Sequence, residues 1–163
     1  VRISFCLPKL LLEFNILLQV FVHGHNLPSI PPEVPDGGLF LEAEKFAEAD
    51  LIVMAAPYWE MSFPALLRIY IEHVSALNVT FGYGEDGQQR GLCRAGHMVY
   101  LTTAGGPVAG NDYGGDYLRG MCGVYGIGEF DSVAAECLDI EGEDVQARMS
   151  EAIRRAEVLA ERL

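Results

Sequence analysis

Basic residues are scarce in this chain. Eleven Lys and Arg stand against 23 Asp and Glu in 163 residues, a net charge of −12. A field of that sign repels nucleic acid and anionic membrane surfaces unless a basic run is concealed within it, and none occurs. Long apolar runs are also missing: no stretch reaches the ~20 residues of a membrane-crossing helix. The most apolar one, Leu10–Val22, is interrupted by Glu13, Asn15 and Gln19. It has neither the basic run before it nor the small-residue cleavage site after it that a signal peptide needs. The four cysteines, Cys6, Cys93, Cys122 and Cys137, are widely spaced and form no CxxC pattern. They read as reduced thiols in a cytoplasmic protein. What is present is ordinary for a globular chain: half the residues are hydrophobic and 21% are charged, which argues against disorder. The length fits a single domain over residues 1–163 that needs no disulfide or metal to hold its core.

The periodicity of the sequence alternates. Val1–Cys6 is rich in β-formers, Lys9–Leu18 suits a helix, and Gln19–His23 suits a second strand. Gly24–Phe40 holds four prolines and three glycines and reads as a loop. A short helix over Leu41–Ala49 precedes the clearest strand, Asp50–Ala56, which is apolar nearly throughout, as a parallel strand covered on both faces must be. Ala65–Val74 places Leu66, Leu67, Tyr70, Ile71 and Val74 on one stripe, with Pro64 suited to the first turn. After a polar, Gly-rich excursion over Asn78–Gly96 come a strand at His97–Thr102, a helix at Asp112–Val124 and a last strand at Phe130–Cys137. The closing helix, Glu143–Leu163, turns Val145, Met149, Ile153, Ala156, Leu159 and Ala160 inward, with Glu151 and Arg155 as a surface i,i+4 pair. Strand and helix alternating at this spacing imply a three-layer α/β domain with helices on both faces. Five parallel strands point to the flavodoxin-like order 2-1-3-4-5.

In such a sheet ligands bind beyond the carboxyl ends of the strands. The third strand is followed by Pro57-Tyr58-Trp59-Glu60-Met61-Ser62-Phe63-Pro64, which holds the only tryptophan, and the fourth by Thr103-Ala104-Gly105-Gly106-Pro107. One loop is aromatic; the other is small enough for a flat ligand to reach its backbone. The plain alternative is that Tyr58, Trp59 and Phe63 cap the core. Their place beside a loop of complementary character favours a ligand site.

These residues carry a resemblance. Ala49–Trp59 followed by Phe63–Arg68, Asn78–Tyr83 with Gly91-Leu92, Thr102–Gly106, and Tyr117-Leu118 with Gly123–Ile127 occur in the order and register of the FMN-dependent NAD(P)H:quinone oxidoreductase and azoreductase family. The resemblance spans Ala49 to Cys137. It implies FMN held at the carboxyl edge of the sheet, NADH or NADPH as electron donor, and a quinone, azo compound or similar small aromatic acceptor that takes two electrons in the same pocket. It also implies a homodimer whose sites are completed by the other subunit. On that match Pro57, Tyr58, Trp59, Glu60 and Met61 lie beside the isoalloxazine, and Thr103, Ala104, Gly105 and Gly106 meet its pyrimidine edge. Trp59 and Phe81 wall the acceptor pocket, with Phe81 reaching it either within its own chain or across the dimer. The flavin would carry the chemistry, so no catalytic side chain is expected.

Two positions depart from the family. Its phosphate loop after the first strand is rich in Ser, Arg and Gly, whereas Cys6 is followed here by Leu7-Pro8-Lys9. Glu60 stands where the family has Asn, and an ionised carboxylate accepts hydrogen bonds where an amide can donate. These departures keep open a second reading, a flavin-free flavodoxin-like binding or scaffolding module.

Other motifs carry less. Gly82-Tyr83-Gly84-Glu85-Asp86-Gly87 spells GxGxxG, but no strand–helix context surrounds it, so it reads as a surface loop. His23 and His25 have no carboxylate or thiolate neighbours in sequence, which is weak support for a metal. His73 and His97 have no visible nucleophile, which disfavours a hydrolase. Asp112 and Asp116 read as solvated helix surface. A phospho-acceptor domain would need acidic residues where Cys6-Leu7 and Ala55-Ala56 stand.

Overall fold

The structure, a computed structural model, describes residues 3–6 and 41–163, the first of these segments through its backbone pairing. The expected helix at 9–18, strand at 19–23, loop at 24–40 and histidines 23 and 25 lie outside the described residues. In chain order the elements are β1 (Ile3–Cys6), α1 (Leu41–Ala47), β2 (Leu51–Ala55), α2 (Ala65–Val74), β3 (Phe81–Tyr83), β4 (Gln89–Gly91), β5 (His97–Thr103), α3 (Tyr113–Tyr125), β6 (Glu129–Ala135) and α4 (Val145–Ala160).

The main sheet runs β1-β2-β5-β6 and all its described pairs are parallel. Leu51 lies opposite Ile3 and His97, and His97 lies opposite Glu129, so the strands start nearly level. Alternation across the pleat then divides the core. Leu51, Val53, Ala55, Val99, Leu101, Val133 and Ala135 face α4, through Ala152, Ala156, Leu159 and Ala160. Ile52, Met54, Met98 and Tyr100 face Phe46 of α1, Leu67, Ile71 and Val74 of α2, and Leu118, Cys122 and Tyr125 of α3. Both sheet faces are therefore covered, which accounts for the unbroken apolar run in β2.

The structure corrects several readings. The inward stripe of α2 is Leu67, Ile71 and Val74; Leu66 is 61% exposed, because a stripe at i, i+4, i+7 already covers the contact with the sheet. Val145 is 44% exposed, since it follows directly on the N-cap Asp144 in the first turn of α4. Glu151 pairs with Arg154 rather than Arg155, whose guanidinium donates to the Ala134 carbonyl at the sheet edge, 2.6 Å away. The 78–96 excursion contains an antiparallel hairpin, β3–β4, with Gly84–Gly87 at its turn. That disposes of the GxGxxG spelling as a dinucleotide site, because no helix opens from it. Asp112 is the N-cap of α3: its carboxylate accepts from the Gly115 amide at 2.8 Å.

Candidate functional site

Two loops meet beyond the carboxyl ends of β2 and β5, which are neighbours in the sheet. The backbone after β2 continues alongside β5: the Ala56 amide donates to the Leu101 carbonyl at 3.1 Å and the Tyr58 amide to the Thr103 carbonyl at 2.8 Å. Between these two, the buried Pro57 has no N–H to satisfy.

The chain then reverses over four residues. Trp59 and Ser62 exchange both backbone hydrogen bonds, at 3.0 and 2.9 Å. Glu60 and Met61 between them both have positive φ, 51° and 62°, as a two-residue reversal of the type I′ class demands. Neither residue type favours that region. The turn is held from outside by α3. The Tyr113 amide donates to the Met61 carbonyl at 3.2 Å, and the Tyr58 hydroxyl donates to the Asn111 carbonyl at 2.9 Å. Phe63 meets Tyr100 and Tyr117 edge-on, with ring centroids 6.5 and 5.9 Å apart. The aromatic loop thus splits: Phe63 anchors it to the core, Tyr58 is half-buried, and Trp59 remains 47% exposed with Met61 beside it in the turn.

The second loop presents its backbone. Ala104 is buried, Thr103 and Gly106 are half-buried and Gly105 is exposed. A Cβ on Gly106 would meet nothing within 4 Å, so open space lies over it. No described residue accepts a hydrogen bond from the Gly105 or Gly106 amides. Two N–H donors without a described acceptor, on the loop next to the one that carries an exposed indole, suit a flat heterocycle with acceptors along one edge. Beneath the loops, the Tyr100 and Thr102 hydroxyls are buried without an aligned partner among the described residues. Burial pushes the Tyr100 phenol well above its ordinary range, so it stays neutral.

Pro57, Tyr58, Trp59, Glu60 and Met61 are therefore brought together with Thr103, Ala104, Gly105 and Gly106, as the sequence suggests. Phe81 is placed elsewhere. Its ring stacks edge-on with Tyr83, 6.3 Å away, on a hairpin bonded to the C-terminal end of α3 through Cys93 and Gln89. The aromatic turn touches the other end of that 13-residue helix, roughly 20 Å away at 1.5 Å per residue. Residues 136–139, which bond the Gly105–Gly106 turn from behind, are not anticipated by the sequence. The signal that could have found them is positional: they succeed β6 just as the two site loops succeed β2 and β5.

The one histidine–carboxylate cluster among the described residues is not at this site. His97 bonds Asp131 at 2.9 Å and lies 3.5 Å from Glu129, at the opposite end of the sheet. Among the described residues no group of three or more His, Cys, Asp or Glu could hold a metal ion, and no helix is long and apolar enough to cross a membrane. A shallow cavity of about 250 Å³ between β6 and α4, lined by Asp131, Arg154, Arg155 and Arg162, is also remote from the loops.

The chain is 40% identical over 119 residues to "FMN-dependent NADH:quinone oxidoreductase 2" of Clostridium acetobutylicum, a match covering 70% of this chain and 59% of that protein. It thus spans about three-fifths of the length of this curated relative. Among solved structures it resembles an azoreductase of Bacillus anthracis strain Sterne, with a TM-score of 0.70 and 19% identity over 93% of this chain and 90% of the other. It also resembles an FMN-dependent NADH-azoreductase of Bacillus anthracis strain Ames Ancestor, solved in complex with FMN, with a TM-score of 0.67 and 21% identity over 96% and 76% of the two chains. The model of a family described as the flavodoxin-like fold matches residues 40–159, spanning every described element from α1 to nearly the end of α4; the chain belongs to that family.

Proposed function

We propose that this protein binds FMN and passes two electrons from NADH to a quinone, azo compound or similar small aromatic acceptor. The observation that carries this reading is that the Trp59 loop and the Gly105–Gly106 loop, bonded through Tyr58 and Thr103, leave the carboxyl ends of adjacent parallel strands together, with no described acceptor for the Gly105 and Gly106 amides. FMN, when bound, supplies the capacity to accept and release two electrons; the protein supplies binding, orientation and exclusion of water. Trp59 forms one wall for the flat ring, Tyr58 and Pro57 set the height of that wall, and the two glycine amides donate to the heterocycle edge. The names of the relatives, with NADH as donor, agree with this reading.

The finer architecture belongs to the same proposal. It takes the five-stranded order 2-1-3-4-5 for the parallel sheet, one strand more than the four described. Two copies form a homodimer in which the hairpin of one copy brings Phe81 over the Trp59 turn of the other. This accounts for an aromatic residue that lies a helix length from the site in its own chain. The protein works in the cytoplasm with its thiols reduced, and its negative charge keeps it off nucleic acid and membranes.

The test is the visible absorbance of the purified protein before and after FMN is added, followed by NADH and then a quinone. A bound-flavin spectrum that bleaches with NADH and returns with the quinone is expected. Failure to retain FMN at micromolar excess overturns the proposal. It would favour the second reading, a flavin-free binding or scaffolding module, which the Cys6-Leu7-Pro8-Lys9 sequence supports because it has no Ser, Thr or Gly to cradle a phosphate.

A further inference from the structure

We propose that Glu136 is a positioning residue: its carboxylate holds the Gly105–Gly106 turn in the conformation that presents two backbone amides to the flat heterocycle. The inference rests on the FMN reading above.

Ala104-Gly105-Gly106-Pro107 has no side chain that can hydrogen-bond the segment's own backbone, and paired glycines lose more backbone freedom on ordering than any other residues. The segment after β6 supplies the missing constraints. Leu138, Asp139 and Cys137 donate their amides to the carbonyls of Ala104, Gly105 and Gly106 at 3.1, 3.0 and 3.2 Å. Cys137 adopts a φ of 62° within this strap. The Glu136 carboxylate then accepts from two successive amides, Val108 at 2.5 Å and Ala109 at 3.2 Å. A charged acceptor makes these the stronger bonds in the set.

The loop amides divide accordingly. Ala104 donates to the Ala135 carbonyl at 2.8 Å, Pro107 has no N–H, and Val108 and Ala109 are taken by Glu136. The two loop amides without an acceptor among the described residues are those of Gly105 and Gly106. The strap and the Glu136 carboxylate fix both flanks of the dipeptide, and no described residue takes its own N–H donors. Preorganised donors of this kind stabilise negative charge where it develops, so they favour the reduced over the oxidised heterocycle.

The experiment compares the full chain with Glu136→Ala and Glu136→Gln. Backbone hydrogen exchange of the flavin-free protein is read first, then FMN affinity by absorbance titration and the potential of the bound flavin. In Glu136→Ala, exchange at Val108 and Ala109 rises at least tenfold while the core of β5 is unchanged, and FMN affinity falls. The potential becomes more negative by about 30 mV for each tenfold by which the reduced form loses more affinity than the oxidised form. Glu136→Gln, which keeps a carbonyl acceptor, recovers most of each effect. Unchanged exchange overturns the proposal, whether or not flavin binds. Raised exchange with unaltered affinity and potential overturns it equally. If the wild-type protein takes up no FMN, the functional reading itself has failed, before any substitution is considered.

Discussion

Gly114, in the first turn of α3, lies directly against Phe63: a Cβ at that position would stand 2.9 Å from Phe63 Cδ1 and 3.2 Å from the Ser62 backbone. The helix can therefore support the aromatic turn only with glycine at this point. Gly114→Ala should displace Phe63 and the turn it anchors. Overpacking of this kind costs about 1–3 kcal/mol, more than the ~1 kcal/mol that alanine contributes to a helix interior. Gly120 in the same helix has nothing within 4 Å of its missing Cβ, so Gly120→Ala should stabilise the protein by up to ~1 kcal/mol. Chemical denaturation of both variants checks the contrast, and a stabilised Gly114→Ala would refute the role assigned to Phe63.

Glu60→Asn addresses the strain in the same turn. Glu60 has φ 51°, and asparagine enters the left-handed region more readily than other residues with a side chain. A gain in stability of up to ~1 kcal/mol is expected. The substitution also exchanges an exposed carboxylate for an amide beside the proposed flavin site, so the reduced flavin should be bound more tightly relative to the oxidised. Glu60→Ala separates the two effects: it removes the charge without the conformational preference. A gain in stability equal in both variants would show that charge, not backbone, governs the turn.

Much of the fold was legible because the core has strong local signals. Asp50–Ala56 reads as a doubly covered strand and β2 is that strand; the bounds expected for α2 are the bounds observed. The hairpin leaves little trace in the sequence because each of its strands has three residues and Gln89-Arg90-Gly91 has no apolar alternation. Glu151 departs from its expected pairing because Arg155 has a better partner, a backbone carbonyl of β6 twenty-one residues earlier in the chain. A topological rule and a resemblance single out the two loops, which the structure sets at the carboxyl ends of adjacent strands, and the relatives carry the names of the family resembled. The Glu136 strap is not legible, because its contacts, three backbone bonds and a carboxylate on two amides, join segments about thirty residues apart and leave no pattern in the sequence.

Alkaline pH should unfold the protein through groups remote from the site. Burial pushes the Cys93 thiol up to about 12 and the Cys122 thiol to about 11, from an ordinary value of 9.0; the Tyr125 phenol rises to about 12 from 10.0. In each case the folded state holds its proton to higher pH than the unfolded state. Their contribution is complete below pH 9 and is lost as pH rises from about 9 to 12. Urea denaturation from pH 7 to 11 should show a falling midpoint above pH 9, and Cys93→Ser should flatten the onset. A midpoint independent of pH over that range would contradict the burial of these groups.

Trp59 offers the most direct test of the aromatic wall. Its side chain is 47% exposed and its backbone, not its ring, closes the turn with Ser62. Trp59→Ala should therefore change folding stability by no more than about 0.5 kcal/mol, as surface substitutions do. Stacking of a flat heterocycle on an aromatic side chain contributes about 1–3 kcal/mol, so affinity for FMN or for the acceptor should fall by roughly 5- to 150-fold. Trp59→Phe should retain most of it. Because this is the only tryptophan of the chain, its fluorescence in the wild-type protein is an independent reporter, and FMN should quench it with the dissociation constant seen by absorbance. An unchanged affinity for both ligands in Trp59→Ala, with no quenching in the wild type, would place the flavin away from this turn and remove Trp59 from the site.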